Sequence, residues 1–328
     1  MFDVKLRVTP SPHIRDSVTT QKIMLDVLIA LIPAGIMGVI NFGVNAFVCI
    51  AVGTGFAVLA EYLWQRITKK EITVSDLSAA VTGLLIAYNV PPATPWWMVA
   101  IGSVFAIIIV KQLFGGLGFN VVNPALAARA ILMASWPQHM TFFTAPHAVD
   151  AVSSPTPLAV MAGTHAAEWS DVGASFVGNI GGCIGETSAL LLILGGAYLL
   201  YRGVINWRIP GCMLGGALIT LVLFCGPEGL FSASLPLVLT QLFSGGLMLG
   251  AIFMATDYVT SPITPKAHII YGFGCGVLAM LIRLFGGYAE GVSYAILLMN
   301  VAAPLIERYT TPHPLGLQKK KKEAKVNA

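Results

Sequence analysis

Long apolar runs, separated by short polar or Pro/Gly-rich stretches, occupy most of this chain. They fall at about 23–40, 44–64, 74–90, 96–114 and 121–135, and again at about 183–201, 209–226, 235–256, 267–285 and 291–306. Runs of this length match the roughly 20 residues a helix needs to cross the hydrocarbon core, and they are apolar all round rather than along one stripe. The pattern predicts an all-α polytopic membrane protein of about ten transmembrane helices. The third and fifth runs read as short or broken. Residues 1–22 form a polar, basic head, 23–310 a membrane domain with an outer loop at 136–178, and 311–328 a basic tail. No cleavable signal peptide is recognisable, so the first span is expected to act as its own insertion signal.

The runs also repeat. Leu113-Phe114-Gly115-Gly116 recurs as Leu284-Phe285-Gly286-Gly287, offset by 171, each after an apolar span. A Pro-rich break precedes both spans: Asn89-Val90-Pro91-Pro92-Ala93-Thr94-Pro95 and Thr260-Ser261-Pro262-Ile263-Thr264-Pro265. Five spans per half is an odd number, so the halves are expected to be inverted relative to one another. Inverted repeats with interrupted helices place a polar site near the bilayer midplane.

Composition agrees with the pattern. The chain is 56% hydrophobic and 10% charged over 328 residues, against about a quarter charged in soluble domains. The net charge of +4 is no sign of nucleic-acid binding, because the basic residues sit at chain ends and in short loops without interleaved aromatics. With ten spans, 17 of the 19 Lys and Arg fall on the side of the two termini. The positive-inside rule then makes both termini cytoplasmic and turns the 136–178 loop, which has no Lys or Arg, outward. Lys319 to Lys322 form a solvated end suited to anionic lipid.

Few residues in such a chain can carry chemistry. In Asp150-Ala151-Val152-Ser153-Ser154-Pro155-Thr156-Pro157-Leu158 two prolines stiffen the backbone. One reading holds Thr156 on an exposed turn with its hydroxyl presented; the other makes Ser154 or Thr156 a helix cap with Pro at the first position. Asn120-Val121-Val122-Asn123-Pro124 precedes Arg129 within a span. The two Asn can satisfy backbone groups freed by the break, and an arginine at depth must face protein, water or an anion. That segment reads either as a ligand pocket at a broken helix, or as an internal salt bridge or a snorkelling arginine. Glu186 opens a span, as a helix cap or as an intramembrane acid. Asp257 sits between a helix break and a Pro-rich loop, and Asp26 lies in the first span with no obvious partner. Asp257, Asp26 and Glu186 are the candidate ion-pathway acids. The five cysteines make no C-x-x-C pair, and His139, His147 and His165 show no metal-ligand spacing; Cys183 alone stands near the polar loop. No Rossmann fingerprint, phosphate-cradling loop or iron–sulfur cluster motif is present, so the chain alone is not expected to oxidise a nicotinamide or ferredoxin.

The Asp150, Ser153 and Thr156 spacing resembles the flavinylation motif of the membrane flavoprotein subunits of Rnf and Na⁺-translocating quinone reductase complexes, with Ser154 and Pro155 where Gly and Ala are usual. The Asn-Pro-Ala segment, Gly185-Glu186 before a Leu-rich span, and Phe253 to Asp257 are similar to that family as well, in the same order. The short head resembles the D subunits of Rnf complexes, with the quinone reductase B subunits as near relatives. The resemblance implies FMN held covalently through a phosphoester at Thr156, with Asp150 and Ser153 in the recognition motif. It implies Asn120, Asn123 and Arg129 near a cofactor, and a non-covalent riboflavin in the bundle. It further implies an electron-relay role coupled to Na⁺ or H⁺ translocation in a bacterial or archaeal cytoplasmic membrane. The implied partners are a second flavoprotein subunit, iron–sulfur subunits and a flavin-attaching transferase. A reading from another class is a solute channel or transporter carrying no flavin.

The ten-span topology has a direct test. Single cysteines at positions 154 and 320 of a cysteine-free version should react with a membrane-impermeant thiol reagent from opposite sides of intact cells. Labelling of both from outside contradicts it.

Overall fold

Helix ends in this chain are set by residues that satisfy the orphan groups of the first and last turns. The protein, seen in a computed structural model, is described over residues 18–146, 156–164, 167–225, 233–286 and 291–311. The first helix, α1 (Thr20–Phe42), begins where the Thr19 side chain accepts from the Lys22 N–H, and it ends at Gly43, whose positive φ turns the chain into α2 (Val44–Ile67). A 3₁₀ turn at Val74–Asp76 leads to the short α3 (Ser78–Tyr88). Next, α4 (Trp96–Phe105) runs on as a π-helical segment, Ala106–Gln112. In α5 (Pro124–Ser135) Pro124 takes the first position and the Asn123 side chain caps it, an arrangement that uses the missing proline N–H at no cost.

Three helices follow in the region anticipated as an outer loop: α6 (Pro137–Met140), α7 (Pro157–Thr164) and α8 (Trp169–Val177). The second half comprises α9 (Ala189–Tyr201), α10 (Arg208–Phe224), α11 (Leu235–Phe243), α12 (Leu247–Leu249) continuing as a π segment Gly250–Met254, α13 (Pro265–Phe285) and α14 (Val292–Thr310). Helix α1 packs on α9, α2 on α3 and α4, α10 on α13, and α13 on α14, while α5 sits among α3, α4 and α14.

Small residues make these seams. On α1, Ala30, Ala34, Gly35 and Gly38 face inward while Ile29, Ile32, Ile36 and Ile40 are exposed. In lipid, close backbone approach replaces the hydrophobic drive that holds helices together in water. The tightest seam joins α10 to α13. There Gly272 and Gly276, four apart, lie against Ile209 and Met213, and a Cβ on Gly276 would overlap the Met213 carbonyl oxygen.

Among the described residues, three helices (α1, α2 and α13) are long and apolar enough to cross a membrane. The count becomes four if α11 and α12–Met254, bent by 60° at their break, are one span. The anticipated third, fifth and sixth spans are short helices of 11, 12 and 13 residues. The interruption at Ser244-Gly245-Gly246 has no proline to announce it. Here the Arg283 guanidinium donates to the Gln241 carbonyl (2.6 Å) and the Ser244 carbonyl (3.4 Å), covering carbonyls freed at the end of α11.

Gly276→Ala should lose on the order of 1–3 kcal/mol through overpacking, read as a lower unfolding midpoint in detergent. Gly215→Ala on the same helix pair, where a Cβ meets nothing within 4 Å, should leave the midpoint unchanged.

Candidate functional site

Two helix breaks meet near the middle of the bundle. The Asn89 amide at the end of α3 donates to the Met254 sulfur (3.6 Å), and the Asn123 amide donates to the Met254 carbonyl (3.2 Å) while its oxygen caps α5. The chain before α9 is pinned to the first break by Ile184 N–H to Val90 O (3.2 Å) and Gly185 N–H to Tyr88 O (3.0 Å). A broken helix in lipid needs such partners, because its freed backbone groups cannot turn to water.

On one side of this junction lies an ionic centre. Arg129 Nη1 donates to Glu186 Oε1 at 2.8 Å and to Asn89 Oδ1 at 2.6 Å, and Nη2 approaches Cys183 Sγ at 3.6 Å. Both charged side chains are at most 5% exposed. Of the two readings open for Arg129, the internal salt bridge is the one found. Glu186 is correspondingly not the cap of the following helix: Ser188 caps α9. Gly246, in the α11–α12 break, leaves room for the Glu186 carboxylate, which a Cβ there would meet at 2.5 Å.

Thr156 shares a narrow crevice with Glu186, Gly181, Gly182, Ser244 and Gly245. Its hydroxyl is not presented on an exposed turn. The residue is only 6% exposed, and its Oγ1 accepts from the Ala159 N–H (3.2 Å), capping α7 with Pro157 at the first helical position. The extended Pro-flanked backbone favours that cap, so the second sequence reading describes this residue. Asp150 and Ser153 lie outside the described residues. A wider cavity, about 790 Å³ counting its mouth, adjoins the crevice through Pro157, Ile180 and Gly181 and reaches Asp171 and Asn179.

On the other side of the junction a cleft of about 790 Å³, again with its mouth, holds Asn120, Asn123, Lys111, Asp257, Ser78 and Thr256 among apolar walls that include Leu85 and Phe253. Asp257 is half-buried and accepts from Thr260 Oγ1 (3.1 Å). The structure thus gathers Thr156, Glu186 and Arg129 at one centre, and Asn120, Asn123 and Asp257 at another. Asp26 belongs to neither. It has a partner after all: Arg202 Nη2 lies at 3.0 Å from Oδ2 and the Tyr198 hydroxyl donates to Oδ1 at 2.8 Å.

Sequence reasoning missed a further buried cluster. Glu61 Oε1 accepts from Lys111 Nζ (2.8 Å) and Gln112 Nε2 (2.7 Å), and Lys111 also donates to Ser78 Oγ (2.6 Å). A signal for it exists: both charges fall inside apolar runs, where an ionisable residue must find a partner. In the topology argument Lys111 registers only as a charge on one side of the membrane.

The family model described as the NQR2, RnfD, RnfE family matches residues 7–316. The D subunit of the Na(+)-translocating ferredoxin:NAD(+) oxidoreductase complex of Acetobacterium woodii is 50% identical over 328 residues, 99% of this chain and 100% of that protein. The D subunit of the proton-translocating ferredoxin:NAD(+) oxidoreductase complex of Clostridium ljungdahlii is 45% identical over 95% of this chain and 96% of its own length. The D subunit of the ion-translocating oxidoreductase complex of Escherichia coli O7:K1 is 36% identical over 95% of this chain and 99% of its own.

Removing one partner of a buried ion pair strands the other. Arg129→Met should cost about 3–5 kcal/mol. The double variant Arg129→Met/Glu186→Met should recover much of the loss, giving a large coupling energy in a double-mutant cycle of detergent unfolding. Additive losses would mean the pair is not a unit.

Proposed function

We propose, since the chain belongs to the NQR2, RnfD, RnfE family, that it is the D-type membrane subunit of an Rnf ion-translocating ferredoxin:NAD oxidoreductase complex and relays electrons within it. The relatives named above are subunits of such complexes, which favours this over a quinone reductase B subunit. The other subunits, a second flavoprotein and iron–sulfur proteins, carry the ferredoxin and NAD chemistry for which this chain has no motif.

The observation that carries the cofactor reading is the place of Thr156. An aliphatic hydroxyl stands at the N-terminus of α7, beside two glycines and next to a cavity of ligand size. A phosphoester there would set its negative charge at the N-terminal end of α7, which the helix dipole makes favourable for anions. Thr156 is the attachment point for FMN in this reading, with Asp150 and Ser153 in the segment that a flavin-attaching transferase recognises. FMN, when bound, would supply reversible uptake and release of electrons. Across the junction, the second cleft combines a few convergent polar groups (Asn120, Asn123, Lys111, Asp257) with apolar walls, as small-molecule sites do. It suits a non-covalent riboflavin. Helix α5 links the two sites: Asn123 lines one, Arg129 pairs with Glu186 of the other, and six residues of helix place them on the order of 9 Å apart. Asp257 and Glu186 stay candidates for the ion path, whereas Asp26, held by Arg202 outside both sites, becomes a weaker one.

The membrane arrangement belongs to the same reading. We take α1–α5 and α9–α14 as two inverted five-pass halves, with α3 and the bent α11–α12 as their broken members, and α1 against α9 at the join. Asp26 near the start of α1 meets Arg202 just past the end of α9, as expected if both lie near the cytoplasmic face. The Thr156 crevice then faces outward, within a membrane domain at 23–310 flanked by a cytoplasmic head and tail.

Thr156→Val keeps the shape and removes the oxygen, so the denatured protein should lose its fluorescent flavin band, while Thr156→Ser should keep part of it. The flavin-attaching transferase must be co-expressed. An adduct mapped by peptide mass to Ser153 or Ser154, or an undiminished band in Thr156→Val, would overturn the assignment.

A further inference from the structure

The cleft between Lys111 and Asp257 is joined to the surface by a continuous run of short hydrogen bonds. Asp76, half-buried at the 3₁₀ turn before α3, accepts from Ser78 Oγ at 2.6 Å and from the Ser78 N–H at 2.8 Å. Ser78 Oγ in turn accepts from Lys111 Nζ at 2.6 Å. Lys111 is 2% exposed and ion-paired with Glu61 at 2.8 Å, yet it also lines the cleft. Glu61 is itself held by Gln112 and by Gln65 (3.4 Å), and Gln65 is tied to Thr73. The ionisable groups about Lys111 are therefore Glu61 on α2, Asp76 behind Ser78, and Asp257 and Tyr258 across the cleft.

A buried ammonium with only a carboxylate to neutralise would be a structural ion pair. This one has a hydroxyl on its other side that leads to an acid near the surface, and it forms part of the wall of the cleft. Lysine donates three protons and accepts none while charged; serine both donates and accepts, so it can pass a proton on.

We propose that Asp76, Ser78 and Lys111 form a proton relay into the cleft, with Lys111 Nζ as the immediate donor to a redox cofactor bound there and Glu61 as the residue that positions it. The inference rests on the cleft holding a flavin. In each step the cofactor gains one electron from its partner in the complex and one proton from Lys111. Asp76 then takes a proton from water and passes it to Ser78 as Ser78 passes its own to the neutral Lys111, in one concerted shift that reverses the direction of the two resting hydrogen bonds. No carbon bond is made or broken, and one proton enters per electron. Reoxidation runs the same path in reverse.

The test uses the purified complete complex. Non-covalent flavin is first extracted and counted, and then riboflavin in the intact complex is reduced stepwise while proton uptake is followed with a pH indicator. In wild type, uptake should accompany reduction and the midpoint potential of this flavin should fall with rising pH. Lys111→Met should keep the flavin and slow proton uptake at least tenfold. Ser78→Ala, which spares Lys111 and Glu61, should slow proton uptake at least tenfold while leaving the potential near wild type. If Lys111→Met releases the flavin, Ser78→Ala decides: uptake at the wild-type rate overturns the relay. Proton uptake at the wild-type rate in flavin-loaded Lys111→Met also overturns it. A wild-type complex with no extractable flavin overturns the cleft reading and the relay with it, and the covalent label on Thr156 is scored separately.

Discussion

The Arg129–Glu186 pair is the constraint on which the rest of this bundle depends. Two full charges removed from water are costly, and their mutual attraction repays that only when further hydrogen bonds complete the site. Asn89 supplies one such bond at 2.6 Å, and it does so from the end of α3. The pair therefore ties α5, the α3 break and the segment before α9 to one point. Gly246 brings the α11–α12 break against the same carboxylate. Four chain segments, each too short or too irregular to be settled by lipid alone, share one electrostatic anchor.

Around that anchor the broken helices are consistent with one another. Each interruption frees backbone groups, and each is met from elsewhere in the chain: the α3 break by the Ile184 and Gly185 N–H groups, Met254 by Asn123, and the end of α11 by Arg283. The same irregularity opens the two cavities, since an unbroken helix would fill them. The polar residues that line the cavities are largely those that the breaks required. Structure and chemistry draw on a single small set of Asn, Arg, Glu and Lys in a chain that is only 10% charged.

Much of this was legible in the sequence. The longer helices fall within the apolar runs, and the break read at Asn123-Pro124 coincides with the start of α5, although its run was placed from about 121. The small size of inward-facing α1 residues, set against its isoleucines, could be read from the spacing alone. Other features were not legible, for physical reasons. The bend at Ser244-Gly245-Gly246 is stabilised by Arg283, some forty positions away, and such a partner leaves no local trace. Asp26 looked solitary because Arg202 and Tyr198 reach it across 176 and 172 positions. Lys111 was legible only as a charge, because its identity as a wall of the cleft depends on where α4 ends relative to α3. Thr156 was legible as a residue type and spacing, while its burial depended on α7 docking beside Gly181 and Gly245.

That burial sets an order of events. A threonine that is 6% exposed, with its hydroxyl engaged at the first turn of an eight-residue helix, is out of reach of another protein's active site. Any enzyme that esterifies it must meet α7 before it docks or during a local opening, which costs far less than unfolding the bundle. Modification would thus be a step of biogenesis rather than a finishing touch on the folded protein. Once α7 closes over the modified side chain, the same packing that kept the enzyme out would shield the ester from water.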